Sequence, residues 1–218
     1  MNTYLTKENI TTMIFELKEA TAKSQDANLF ANVSFCASPG DAVAVVGENA
    51  ARKAVLMAML GLQPLSAGWA SVDGEPITAI TGAYFRRFIA YLPDTFDFEG
   101  MTVQMVAKSQ FAIRSNSDYV YSSKAVAEEL ARLGVDKECM TQRFDALPSA
   151  VAQRAALALS GMFERPLLLL DNPTSYQDDA GRQRVSQYIA ALRQIGTAVV
   201  VSTADEALRA MCNKTVNL

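Results

Sequence analysis

The stretch Val46-Gly47-Glu48-Asn49-Ala50-Ala51-Arg52-Lys53-Ala54 decides how this chain is read. It follows the apolar run Asp41 to Val46 and leads into a helix-forming run, the strand-turn-helix setting in which the pattern G-x-x-x-x-G-K-[ST] carries meaning. In that loop the glycines let successive backbone N–H groups curl around a phosphate, the lysine offsets its charge, and the closing hydroxyl ligates a metal. Gly47 and Lys53 fit the pattern, but Arg52 stands at the second glycine and Ala54 at the hydroxyl. The setting of a phosphate loop is present and much of its chemistry is absent.

Composition bounds the rest. A chain of 218 residues, 50% hydrophobic and 20% charged, is long enough for one large domain or two small lobes with a real core. A net charge of -3 and a pI near 5.1, with no Lys/Arg cluster of the kind that tracks a phosphate backbone, argue against a nucleic-acid partner. Cys36, Cys139 and Cys212 are far apart and lack C-x-x-C spacing, which argues against a zinc site or a disulfide scaffold and for small buried hydrophobes. Met1 to Ile10 has no apolar signal-peptide core, and no stretch approaches the roughly 20 apolar residues that span a bilayer. The expectation is a cytoplasmic chain whose membrane contact, if any, runs through another polypeptide.

The order of elements is that of an α/β domain with a mainly parallel core sheet, a β-rich N-terminal part and an inserted helical lobe. Met13 to Ala22 and Asn32 to Cys36 read as strands, and Ser38-Pro39-Gly40-Asp41 turns into the strand before the loop. Ala51 to Leu60 reads as a helix stopped by Gly61, and Asp73-Gly74 marks a hairpin within Trp69 to Ile77. After a strand at Phe88 to Leu92 the pattern turns helical, with Ser122-Ser123 capping the run Val126, Leu130, Leu133 that Gly134 ends. Ala150 to Phe163 is a further helix, and Leu167 to Asp171 a fully buried strand ending in a carboxylate. Asp178 caps a helix whose Val185, Ile189, Leu192 and Ile195 face the sheet, and Thr197 to Thr203 forms the next buried strand. The division expected is a single domain, with a core lobe of residues 1–94 and 148–218 and a helical lobe of 95–147.

With these motifs in this order, the chain resembles the nucleotide-binding domain of an ABC (ATP-binding cassette) transporter over nearly its whole length, a P-loop NTPase-like fold. Leu60 to Gly68 resembles the family's segment after the loop helix, and Ile89 to Asp94 its Q-loop. Leu147 to Arg154 resembles its signature, Leu167 to Ser175 its Walker B strand and turn, and Val199 to Asp205 its switch. The resemblance implies that hydrolysis would need metal-bound phosphates, a carboxylate beside the attacking water, a Q-loop glutamine and a switch histidine.

At those positions the chain departs from the family. Asp171 is kept, but Asn172 replaces the glutamate, and an amide cannot take a proton at neutral pH. Asp94 sets a negative charge in the Q-loop, Ala204 fills the switch position, and there is no histidine anywhere in the chain. The signature agrees with L-S-G-G-Q-x-Q-R only at Leu147, Gln153 and Arg154. Pro148 lacks an N–H, and Ala150 adds a methyl where close approach to a phosphate depends on glycine. Ser24 or a neighbour falls where the adenine-stacking aromatic would lie.

The expectation is therefore a catalytically inactive ABC-type domain acting as a structural or regulatory subunit, with no catalytic and no metal-ligating residue. Its vestigial nucleotide site comprises Gly47, Asn49, Arg52, Lys53, Ala54 and Asp171. No cofactor is required, and ATP/Mg binding is weak at most. Lys53 has two readings, a phosphate ligand or a solvated residue on a first helical turn. Two other functions stay open: an ATP-binding subunit with weak or partner-dependent hydrolysis, and a cleft for another phosphorylated ligand held by Lys53, Arg52 and Asp171. The implied partners are a permease or a cytoplasmic protein, in a homo- or heterodimer, with location peripheral to the inner membrane. The surface expected to dock them is the cleft at Asp94 to Gly100, where Phe96 and Phe98 are either contacts or core.

Overall fold

The computed structural model describes residues 13–24 and 27–218, so the leaderless reading of Met1 to Ile10 lies outside the described residues. β1 (Phe15–Ser24) pairs antiparallel with β2 (Ala27–Ala37) on one side and with β4 (Ala67–Val72) on the other. β5 (Glu75–Pro76) completes this four-stranded sheet across the predicted hairpin. Asp73 (φ 49°) and Gly74 (φ 81°) both adopt the left-handed conformation that such two-residue turns need.

A five-stranded sheet carries the remaining strands in the order β6 (Ile89–Leu92), β7 (Leu167–Asp171), β8 (Ala198–Ser202), β3 (Ala42–Val46), β9 (Lys214–Asn217). All its pairings are parallel. The strands are apolar runs rather than alternating ones because both faces are covered. Leu168, Leu170, Val199 and Val201 pack on one side, while Val43, Val45, Leu167, Leu169 and Val200 pack on the other, toward the antiparallel sheet. β9 escapes the sequence reading because it is a half-exposed edge strand of mixed polarity.

The helices follow the chain as α1 (Asn49–Met59), α2 (Gly82–Phe85), α3 (Val103–Phe111), α4 (Ser123–Arg132), α5 (Ser149–Gly161), α6 (Asp179–Gln194) and α7 (Glu206–Ala210). The predicted caps form: Ser122 accepts from the N–H of Ala125, and Asp178 from that of Gly181. α3 and α4 lie between β6 and β7 and pack onto α5 through Val106, Val126 and Leu130. Tyr188 of α6 donates to Glu129 of α4 and ties this segment to α6.

Three expectations need correction. Ile195 does not face the sheet but is 51% exposed, because the helix ends at Gln194 and Ile195 is its cap rather than part of its apolar face. The cysteines are not buried: Cys36 is exposed, and Cys139 and Cys212 are half-buried. No Lys/Arg cluster is visible along the sequence, yet the fold gathers Arg86, Arg87, Arg114 and Arg165 around adjoining clefts. Phe96 and Phe98 stack on each other at 5.6 Å and meet Phe144 at 5.5 and 4.9 Å, half-buried against the core. Among the described residues no helix is long and apolar enough to cross a membrane.

Candidate functional site

The C-terminal ends of β3, β7 and β8 converge on the start of α1, where the sequence places its phosphate loop. The loop itself is short. Gly47 (φ 147°) leaves the strand, Glu48 holds an extended backbone, and α1 begins at Asn49, with the N–H of Arg52 donating to the carbonyl of Glu48 at 2.9 Å. Residues 49–52 are thus wound into the helix, and only Gly47 and Glu48 keep an open backbone between strand and helix.

Arg52 is only 7% exposed, and its guanidinium turns back into the space in front of this loop. It donates from Nη1 to the carbonyl of Gly47 at 2.6 Å and from Nε to Ser202 Oγ at 3.1 Å. From Nη2 it reaches Asn49 Oδ1 at 3.1 Å and Asn172 Oδ1 at 3.0 Å. Four hydrogen bonds from five donors tie the loop, α1, the turn after β7, and β8 together. None of the acceptors is a carboxylate. The nearest negative charge acts through a hydroxyl, since Ser202 donates in turn to Asp171 Oδ1 at 3.0 Å.

Asp171 is 1% exposed. Burial pushes its carboxyl above the usual value, the Ser202 bond opposes this, Asp94 adds to it, and Lys53 and Arg52 oppose it again. Lys53 is exposed, with its charge near enough to act on Asp171. Ala54 is buried in the core with Val55 and Leu56, so no hydroxyl faces the cleft there. Asn172 has φ 48°, a left-handed backbone that Asn tolerates better than Glu, and its Nδ2 donates to Asn49 Oδ1 at 3.1 Å. Asp94 accepts from Ser175 Oγ at 3.4 Å. Burial, Asp171 and Asp94 together push the Tyr91 phenol up to about 12.

The structure therefore brings together Gly47, Asn49, Arg52, Lys53 and Asp171 from the predicted site and sends Ala54 into the core. It adds Asn172 and Ser202 as partners of Arg52, and Leu218, whose N–H donates to the carbonyl of Val46 at 2.9 Å. A Cβ added to Gly47 would come within 3.0 Å of the Leu218 side chain, so the C-terminal strand presses on the loop. A cleft of about 530 Å³ beside the switch position is lined by Asn172, Thr174, Ser175, Thr203, Ala204 and Asp205, among others. There Thr174 donates to Asp205 Oδ2 at 2.9 Å, while Asp205 Oδ1 caps α7.

The signature segment separates into two faces. Leu147 is buried in the core. Gln153, 1% exposed, donates to the carbonyl of Asn172 and to Ser175 Oγ, both at 3.0 Å, and Arg154 donates to Gln177 Oε1 at 2.7 Å. These are the three positions that agree with the family pattern, and each serves the chain's own packing. Pro148 and Ser149, which depart from it, are exposed.

Residues 30–175 match the ABC transporter family. The chain is 27% identical to a putative ABC transporter ATP-binding protein of Treponema denticola over 208 residues, 94% of this chain and 40% of that one. It is 29% identical to the probable multidrug ABC transporter ATP-binding protein YbhF of Escherichia coli strain K12, covering 87% of this chain and 33% of that one. It thus spans two fifths or less of these two relatives. The lipoprotein-releasing system ATP-binding protein LolD of Oleidesulfovibrio alaskensis is 27% identical, with 95% of this chain and 94% of that one covered. Among solved structures, the dimeric bacterial ABC transporter cassette MJ0796 superposes with a TM-score of 0.83 at 18% identity, covering 94% of both chains. The chain belongs to the ABC transporter family and has the fold of its ATP-binding cassettes.

Proposed function

We propose that this chain is a non-hydrolysing ABC-type domain, a structural or regulatory subunit whose nucleotide cradle is filled by its own Arg52. The observation that carries the reading is the fourfold anchorage of that guanidinium. A Mg-ATP complex does not fit the residues present. Its phosphates would have to displace a side chain with four internal bonds, its metal would find no hydroxyl at Ala54, and its attacking water would find no base at Asn172. Asp94 and Glu48 add like charge to any polyphosphate nearby.

Losses that leave the fold intact favour a role for the fold itself. In this reading the partner is a permease or another subunit of a transporter-like complex, and the chain sits at the membrane through that partner, alone or as half of a dimer. The names of its relatives, a lipoprotein-releasing system and a hemin importer among them, support the transporter setting. The second reading, an ATP-binding subunit with partner-dependent turnover, is favoured by Lys53, exposed and close to a retained Asp171. Steady-state turnover of Mg-ATP by the purified chain separates the two: none above background supports the first, and turnover abolished by Lys53→Ala supports the second.

A further inference from the structure

Lys214, the first residue of β9, reaches across to the other sheet. Its Nζ lies 2.7 Å from Asp41 Oδ2, 3.1 Å from the carbonyl oxygen of Cys36 and 3.6 Å from Cys36 Sγ. An ammonium has three donors, and here each has an acceptor. Asp41 is itself fixed, since Oδ2 also accepts from the N–H of Ser38 at 2.8 Å and Oδ1 accepts from Asn213 Nδ2 at 2.7 Å. The nitrogen is therefore held against the sulfur rather than carried on a free side chain.

Cys36 is open to reagents on the other side of this contact. It lies near the end of β2, an edge strand of the antiparallel sheet, and is exposed, whereas Cys139 and Cys212 are half-buried. The pair bridges the two sheets: Cys36 is opposite Glu16 of β1, and Lys214 is opposite Val43 of β3. The two residues are 178 positions apart in the chain. From Lys214, β9 runs on to the phosphate-loop region, where the N–H of Leu218 donates to the carbonyl of Val46 and the Leu218 side chain lies against Gly47.

We propose that Cys36 and Lys214 form a modification site, at which hydrogen peroxide drives closure of a reversible N–S bond, a sulfenamide, that fastens β9 to β2. In the first step the Cys36 thiol and peroxide give a sulfenic acid and water; the sulfur loses two electrons and the peroxide O–O bond breaks. A sulfenic acid is electrophilic at sulfur and condenses with an adjacent nitrogen. In the second step the Lys214 ammonium passes one proton to Asp41 Oδ2 and Nζ attacks Sγ, so the N–S bond forms and the S–O bond breaks. The leaving hydroxyl takes a second proton from the nitrogen and departs as water, and Asp41 returns its proton to solvent. Two equivalents of a small thiol reverse the link, giving back the amine and the Cys36 thiol and leaving one disulfide. The inference stands on this contact and does not depend on the state of the nucleotide cradle.

The test is mass spectrometry and thermal melting of the reduced full chain before and after hydrogen peroxide, for wild type, Cys36→Ser and Lys214→Arg. Lys214→Arg keeps a cation beside Asp41 and removes the amine. Wild type should lose about 2 Da and yield, on digestion, one peptide pair joined at Cys36 and Lys214, with both changes undone by dithiothreitol. Because the link closes so long a stretch of chain, the melting temperature should rise by at least about 5 °C. Neither variant should show the link or the rise. A gain of about 16 or 32 Da on Cys36 with the two peptides separate would overturn the proposal. So would a 2 Da loss, about the same size, that persists in Lys214→Arg, since that is a disulfide between thiols, or a link that leaves the melting temperature unchanged. The joined peptide is read on wild type, so the result does not rest on how well either variant folds.

Discussion

Arg52 Nη2 donates to Asn172 Oδ1 at 3.0 Å, which joins the two residues that stand where the family has its loop glycine and its catalytic glutamate. The two positions are bonded to each other, and in the proposed function the arginine fills the cradle with the asparagine as its acceptor. A single repair at Asn172 should therefore fail. In Asn172→Glu the new carboxylate would meet the Arg52 guanidinium before any water, and it would sit on a left-handed backbone (φ 48°) that suits Glu poorly. The expected ATPase rate is background, because residues that act as a unit are not additive. Metal-dependent turnover by this variant would count against the account.

Arg52 itself should stabilise the fold. Arg52→Ala leaves Asn172 Oδ1 and Ser202 Oγ without their donor, while Asn49 Oδ1 keeps Asn172 Nδ2, and the expected loss is about 1–3 kcal/mol. In a domain of this size that lowers the melting temperature by about 2–12 °C. Arg52→Lys should recover little of it, since an ammonium cannot span the same four acceptors. An unchanged or raised melting temperature in Arg52→Ala would show that the guanidinium is only tolerated.

Asp171 should lower stability at neutral pH. Its folded pKa lies above the unfolded value of 3.8, so the folded state holds the proton more tightly. Stability is then full below 3.8 and falls as pH rises through the folded pKa. Asp171→Asn keeps an acceptor for Ser202 and removes the buried charge. Thermal melts at pH 7 should show this variant as stable as wild type or more so, with the gap closing toward pH 4. A clear loss at pH 7 would mean that the carboxylate holds the network together.

The edge strand β9 makes the opposite prediction. Lys214 Nζ donates to Asp41 Oδ2 at 2.7 Å, and Asn213 Nδ2 donates to Oδ1 at 2.7 Å. Burial alone would raise the Asp41 pKa, but the bonds from Lys214, Asn213 and Ser38 outweigh it and hold the carboxyl below its usual value. Its contribution is therefore present above 3.8 and lost as pH falls through the folded pKa. Lys214, raised by its bond to Asp41, contributes below 10.5 and loses that contribution as pH rises further. Asp41→Asn should flatten the acid limb of the stability profile and loosen β9, read as faster amide exchange at Val216 and Leu218. Unchanged exchange there would remove Asp41 from that role.

What the sequence made legible was whatever local pattern controls. The buried strands, the Ser122 and Asp178 caps, the Asp73-Gly74 turn and the order of motifs follow from runs and spacings within a few residues. The fate of Arg52 did not, because a substitution at a glycine position tells what the loop loses and not where a long side chain goes. Its acceptors, Asn172 and Ser202, are 120 and 150 residues away. The same distance hid the arginine clefts, whose members come from residues 86 to 165. Gln153 and Arg154 read only as positions that agree with the signature pattern, whereas their bonds to Asn172, Ser175 and Gln177 give them an internal role.

The central claim is that the cradle is closed by the chain itself, and Mg-ATP binding tests it most directly. A ligand at one hundred times its dissociation constant stabilises a native state by about 2.7 kcal/mol, a melting shift of about 5–11 °C for a domain of this size. With Arg52 in place, Asp94 adding like charge and Ala54 buried, the dissociation constant should be millimolar or weaker. The account predicts a shift under about 1 °C for wild type with millimolar Mg-ATP. A shift of several degrees that vanishes in Lys53→Ala would contradict it.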